Sequence, residues 1–175
     1  LGIGALHEMA APHITSEHDV RRLVELSRSE PLPEVVPYWG QADVERARAV
    51  GARGAAGDPT VDGPLGSRSA RLTRPYADEP STRGQCYLDV DDAAAHVVAC
   101  TGAGLQAGFH CIGDEAVWVA VTAITRAADQ CGEAAVVAAR HRLEHVEMIS
   151  AELIEAMARL GVVASVQPVF DELWG

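Results

Sequence analysis

Two short apolar stretches end in histidine: Leu105-Gln106-Ala107-Gly108-Phe109-His110 and Arg142-Leu143-Glu144-His145. The histidines lie 35 positions apart, about one strand-plus-helix unit, which sets neighbouring strand ends side by side. A single histidine at a strand end is more often a hydrogen-bonded structural residue. Two on successive ends make metal binding an equal alternative. Neutral imidazoles suit a borderline-soft divalent ion such as zinc and leave a coordination position for water, which there becomes a nucleophile near neutral pH.

A third element is Asp62-Gly63-Pro64-Leu65-Gly66-Ser67-Arg68. It reads either as an Asp-Gly turn with a solvent-facing guanidinium, or as a mouth at which Asp62 or Arg68 orients substrate. His141, directly before Arg142, reads as a strand-start surface residue, and His96, beside Val97 and Val98, as a packing histidine. Cys111 faces away from His110 by strand alternation and belongs to the core. Trp39 and Trp118 are assigned to core packing, with pocket lining as the alternative.

The elements around these residues alternate. Ser16-Glu17-His18-Asp19 matches a capping box ahead of apolar residues at helical spacing, after an apolar stretch at 1–9. The pattern repeats with a strand at 34–39 and a helix at 43–50 stopped by Gly51, then a short strand at 55–61 and a long ordered loop at about 62–88. Helices follow at 89–101, 115–130 and 150–160, with strands at 105–112, 142–148 and 162–166. Six strands alternating with five helices predict an α/β fold with a parallel sheet, either a barrel or a doubly wound sheet. No G-x-G-x-x-G follows a strand, which favours the barrel and counts against a dinucleotide site. In a barrel, both histidines occupy the catalytic ends of strands.

The 175 residues carry a net charge of −11, and all 14 basic residues are arginine. With eight scattered aromatics, the chain is a poor match for nucleic acid. Four cysteines, Cys86, Cys100, Cys111 and Cys131, form no C-x-x-C pair, so a reducing, cytoplasmic setting is expected. No apolar run is long enough to span a membrane. The expected partner is a small-molecule substrate, with self-association into a homo-oligomer an option because an open sheet leaves edges exposed.

Four stretches, Asp62 to Arg68, His110-Cys111-Ile112-Gly113-Asp114-Glu115-Ala116, Arg142-Leu143-Glu144-His145 and Ala164-Ser165-Val166-Gln167-Pro168, stand in the order found in one family. Together they resemble the amidohydrolase superfamily, most closely its amidohydrolase-3 branch, which includes N-substituted formamide deformylase-like proteins. The weaker Gly2-Ile3-Gly4-Ala5-Leu6-His7-Glu8 resembles that family's second barrel strand. The resemblance implies a (β/α)₈ barrel of the TIM type, with His110 and His145 as metal ligands at the ends of strands five and six. His145 is also assigned a catalytic role, with Asp62 and Arg68, while Asp114 and Gln167 support the site. The implied reaction is hydrolysis of an amide, formamide or similar C–N bond by a metal-activated water.

Three departures qualify this. No His-x-His pair is present, and the family's last-strand aspartate would lie beyond Gly175, so the chain is expected to be a fragment covering strands two to seven. The branch usually carries a metal-bridging carboxylated lysine four residues before the Asp-Gly pair, and here that position is Asp58. Asp58 either donates a carboxylate oxygen to a single ion, zinc being favoured, or merely begins the Asp58-Pro59 turn. The alternative to an enzyme is a catalytically inactive barrel remnant acting as a structural or partner-binding module.

Overall fold

The structure, a computed structural model, describes residues 2–57 and 59–174. Six strands, β1 (Ala5–Ala10), β2 (Glu34–Trp39), β3 (Gly54–Ala55), β4 (Gln106–Cys111), β5 (Arg142–His145) and β6 (Val163–Ser165), form one sheet in sequential order, every pairing parallel. A doubly wound sheet reverses its strand order at a switch point. The unbroken order here is that of a barrel wall.

Seven helices accompany the strands: α1 (Glu17–Ser29), α2 (Val44–Ala49), α3 (Val90–Ala103), α4 (Asp114–Cys131), α5 (Glu133–Ala139), α6 (Ala151–Arg159) and α7 (Val169–Trp174). The expected capping box forms, with the Ser16 side chain accepting from Asp19 N while the Asp19 carboxylate accepts from Ser16 N. Asp89 caps α3, whose C-terminal Gly104 takes the left-handed conformation. Helices α5 and α7 lie outside the elements expected from the sequence. The strand expected at 55–61 contracts to Gly54–Ala55, and pairing resumes at a lone bridge between Thr60 and His110. Pro59 lies between and has no N–H to donate to a ladder.

Strand alternation divides the side chains. Ala107, Phe109 and Cys111 of β4 and Leu143 of β5 face α3 and α4 and are fully buried with Val97, Cys100, Val117, Val121 and Ile124. Cys111 and Trp39 are core residues as expected. Trp118 is not: it is 49% exposed on the outer side of α4.

The other face carries polar side chains in register: Gly108 beside Arg142, and His110 beside Glu144, which is beside Ser165. Arg142 forms a two-pronged ion pair with Glu144 and donates to Ser165 Oγ at 2.8 Å and to His7 Nδ1 at 2.6 Å. It also lies 5.4 Å from the centre of the Tyr38 ring. In a flat sheet β1 and β5 would stand roughly 19 Å apart, four strand spacings of about 4.8 Å, beyond the joint reach of an arginine and a histidine. The sheet is therefore curled into a half-barrel, with this polar cluster on its concave side.

His141 corrects the expectation of a surface residue, being completely buried. Its Nδ1 accepts from Ala107 N at 3.0 Å, which leaves the proton on Nε2, 3.0 Å from Thr101 Oγ1. The strand-start position hid this because the ring turns back under α3. Burial, with a smaller contribution from His96, lowers its pKa from 6.5 to about 4. The unfolded chain thus takes up the proton first, so stability is fully present above pH 6.5 and drains away as pH falls towards 4. Between pH 7 and pH 5 the loss from this group is about 2 kcal/mol. Urea unfolding at the two pH values is expected to show that drop, and a His141→Leu variant to start less stable and show a flatter dependence. Equal slopes in the two proteins would contradict the assignment. His96 behaves as the expected packing histidine, with Nε2 bonded to Ala55 O at 2.9 Å.

Candidate metal centre

His110 is the last inward-facing residue of β4, and its ring centre lies 4.6 Å from that of His145. Alternation alone would point His145 outward with its register partner Cys111. The backbone prevents this. His145 has φ +72° and Val146 φ +54°, two successive left-handed residues without glycine. Such conformations cost on the order of 1–3 kcal/mol each and persist only where the surroundings enforce them. Val146 N donates to Cys111 O at 2.9 Å and Met148 N to Ile112 O at 3.1 Å, fastening the reversed segment to the end of β4. Both Glu144 and His145 are thereby presented on the concave side.

Among the described residues the buried Nδ1 of His110 has no hydrogen-bond partner, the nearest carboxylate oxygen being Asp62 Oδ1 at 3.6 Å. An orphaned buried ring nitrogen is unfavourable unless something occupies its lone pair. His145 Nδ1 lies 2.7 Å from Gln167 Oε1, an acceptor, so that nitrogen carries the proton and Nε2 keeps a free lone pair. One orphaned nitrogen and one oriented by a carbonyl fit a divalent ion as two of its ligands. Among the described residues no third His, Cys, Asp or Glu completes a cluster with them. Asp58 lies outside the described residues.

Asp62 is fully buried, and its carboxylate accepts from three backbone N–H groups: Arg71 at 2.7 Å, Gly113 at 2.8 Å and Ile112 at 2.9 Å. It therefore stitches the 62–88 loop to the turn between β4 and α4, two residues beyond His110. Gly113 is required in that turn, since a Cβ there would come within 2.1 Å of Arg71 O. Asp114 accepts from Thr73 N at 2.9 Å and from the Thr73 hydroxyl. Burial alone would raise its pKa, but these hydrogen bonds outweigh it and hold the carboxyl below its ordinary value. Arg71 pairs with Glu115. Arg68 is not brought to the histidines: it stands in the left-handed conformation after a 3₁₀ turn at Leu65–Ser67 and pairs with Asp78 at 2.6 Å on the loop surface.

The sequence reading therefore located His110, His145, Gln167 and the Asp62 segment in one place. It did not recognise Arg142 and Glu144 as an ion pair, nor His7 as its third member. The R-x-E spacing on one strand face was the available signal.

The sequence model of the amidohydrolase family matches residues 1–174. YtcJ of Bacillus subtilis strain 168 is 34% identical over 111 residues, 63% of this chain and 20% of that protein. Protein LONG AFTER FAR-RED 3 of Arabidopsis thaliana is 32% identical over 114 residues, 62% of this chain and 18% of that one. Two solved structures, uncharacterized metal-dependent hydrolases from Pyrococcus furiosus and Pyrococcus horikoshii OT3, superpose with TM-scores of 0.75 and 0.74 at 25% identity. Each covers 99% of this chain, which spans 36% and 35% of theirs. The chain thus spans about a fifth of the curated relatives it matches and about a third of the solved ones. No helix among the described residues is long and apolar enough to cross a membrane.

Proposed function

The chain belongs to the amidohydrolase family, and from that premise we propose that it forms the metal-binding wall of a hydrolase cleaving an amide, formamide or similar C–N bond of a small molecule. The observation that carries this is the orphaned Nδ1 of His110 beside the ring of His145. A divalent ion, zinc by preference and one rather than two, would polarise the substrate carbonyl and lower the pKa of water. His110 would hold it through its unpartnered Nδ1 and His145 through the Nε2 left free by Gln167, with Asp58 proposed as an oxygen donor on its sequence position alone. Gln167 fixes the tautomer and tilt of His145. Asp62, with its lone pairs given to three N–H groups, acts by positioning the loop and the β4 end rather than by moving a proton. Arg68 fastens that loop through Asp78.

Elemental analysis of the full-length protein after dialysis against trace chelator is expected to find about one divalent ion per chain. Hydrolysis of N-acyl and N-formyl amines should disappear on chelation and return with Zn²⁺. Folded protein that holds no ion and shows no chelator-sensitive hydrolysis would overturn the proposal.

A further inference from the structure

The sheet register sets Glu144 opposite His110 on the concave face, and Glu144 directly precedes His145. Paired strands run about 4.8 Å apart, so a carboxylate at this position is near enough to join an ion held by both rings. Yet among the described residues these three side chains do not form a group that could hold a metal. The reason is Arg142.

Residues two apart on a strand share a face, which puts Arg142 roughly 6.6 Å from Glu144 and one layer deeper, level with Gly108. Its Nε donates to Glu144 Oε1 and its Nη2 to Oε2 at 3.1 Å, so both carboxylate oxygens are turned down the strand, away from the histidines. The two side chains are only 12% and 11% exposed, and a carboxylate so buried cannot exchange this partner for water without a large desolvation cost. The guanidinium is itself clamped from three other strands. It donates to Ser165 Oγ of β6 at 2.8 Å and to His7 Nδ1 of β1 at 2.6 Å, and lies 5.4 Å from the centre of the Tyr38 ring of β2. That ring stacks on His7 at 5.5 Å and is anchored by its hydroxyl, which donates to Gln106 Oε1 at 2.6 Å. Neutralising one carboxylate needs no such frame. Fixing where the carboxylate points does.

We propose that Arg142 is a positioning residue that withholds Glu144 from the metal centre. With the carboxylate restrained, the two histidines leave an open side for water and substrate. With it free, Glu144 would fill a coordination position and add a negative charge, which opposes the lowering of the water pKa. The inference rests on the hydrolase reading above in taking His110 and His145 as ligands.

The test is titration of metal-free full-length protein with Co²⁺, followed by calorimetry and visible absorption, for the wild type, Arg142→Met and the double variant Arg142→Met with Glu144→Gln. Arg142→Met keeps the aliphatic stem and frees the carboxylate. It is expected to bind Co²⁺ about ten- to a hundredfold more tightly, the scale on which groups one step removed from the ligands act on metal affinity, and with an altered spectrum as an oxygen joins the coordination sphere. The double variant has the net charge of the wild type and no carboxylate at position 144, so affinity and spectrum should both return to wild-type values. A wild-type spectrum in Arg142→Met, even at raised affinity, would mean that charge acts only through space and would overturn the proposal. So would a double variant that keeps the gain. If Arg142→Met does not fold, Arg142→Lys gives the same reading, because one ammonium cannot engage the carboxylate edge as the guanidinium does: a shifted spectrum supports the proposal and an unchanged one overturns it. Wild-type protein that binds no Co²⁺ would overturn the hydrolase reading and this inference with it, whereas a wild type that binds Co²⁺ and variants that match it would overturn this inference alone.

Discussion

If the proposed centre holds a divalent ion, replacing His110 and His145 together by alanine is expected to abolish its binding and to reduce hydrolysis by at least about a thousandfold, since the ion would supply both carbonyl polarisation and the lowered water pKa. Elemental analysis and turnover of the same preparation check it, and ion content equal to that of the wild type would refute it. The fold should survive, because neither ring belongs to the packed layer of Phe109 and Leu143 between sheet and helices. A second readout separates a ligand from a structural histidine. The orphaned Nδ1 of His110 is a cost in the metal-free protein, so His110→Phe should raise metal-free stability by about 1 kcal/mol while eliminating ion binding. A histidine kept for structure would show the reverse.

Asp62→Ala should be the most destabilising single change in the loop, at about 4 kcal/mol. Three backbone N–H groups lose a carboxylate acceptor together, two of them, on Ile112 and Gly113, in the turn after β4. Asp62→Asn should cost about half as much, because the amide oxygen can still serve one side while its NH₂ faces an N–H on the other. Thermal unfolding in the presence of chelator isolates this effect from metal loss, and a shift of less than about 2 °C for Asp62→Ala would contradict the role. With ion present, Asp62→Asn should also weaken metal binding, since the carboxylate borders His110 at 3.6 Å.

Residue type and βα spacing were enough to place His110 and His145 at neighbouring strand ends, because that spacing is a local property, whereas Gln167 was legible only through the resemblance to the family. The parallel sheet was legible from that same spacing. What was not legible depends on contacts between distant segments. Alternation would have sent His145 to the helices, and only the left-handed pair His145 and Val146, held by Cys111 O, turns it inward. Asp62 reads as a turn residue until Ile112 and Gly113 are seen donating to it from some fifty positions away. His141 reads as surface until Thr101 and Ala107 enclose it. Arg68, singled out for its glycine-rich surroundings, spends its charge on Asp78 ten residues later, a pairing no motif announces.

The Arg142 to His7 contact joins residues 135 positions apart, whereas each strand pairs with its immediate successor. Because the segment between them is shortened only as the successive strands pair, the local strand–helix units are expected to form first and this bond across the concave face last. Breaking it would then leave the folding rate nearly unchanged and hasten unfolding instead. On that expectation the contact would act as a latch, setting how long the curved state lasts rather than how fast it assembles.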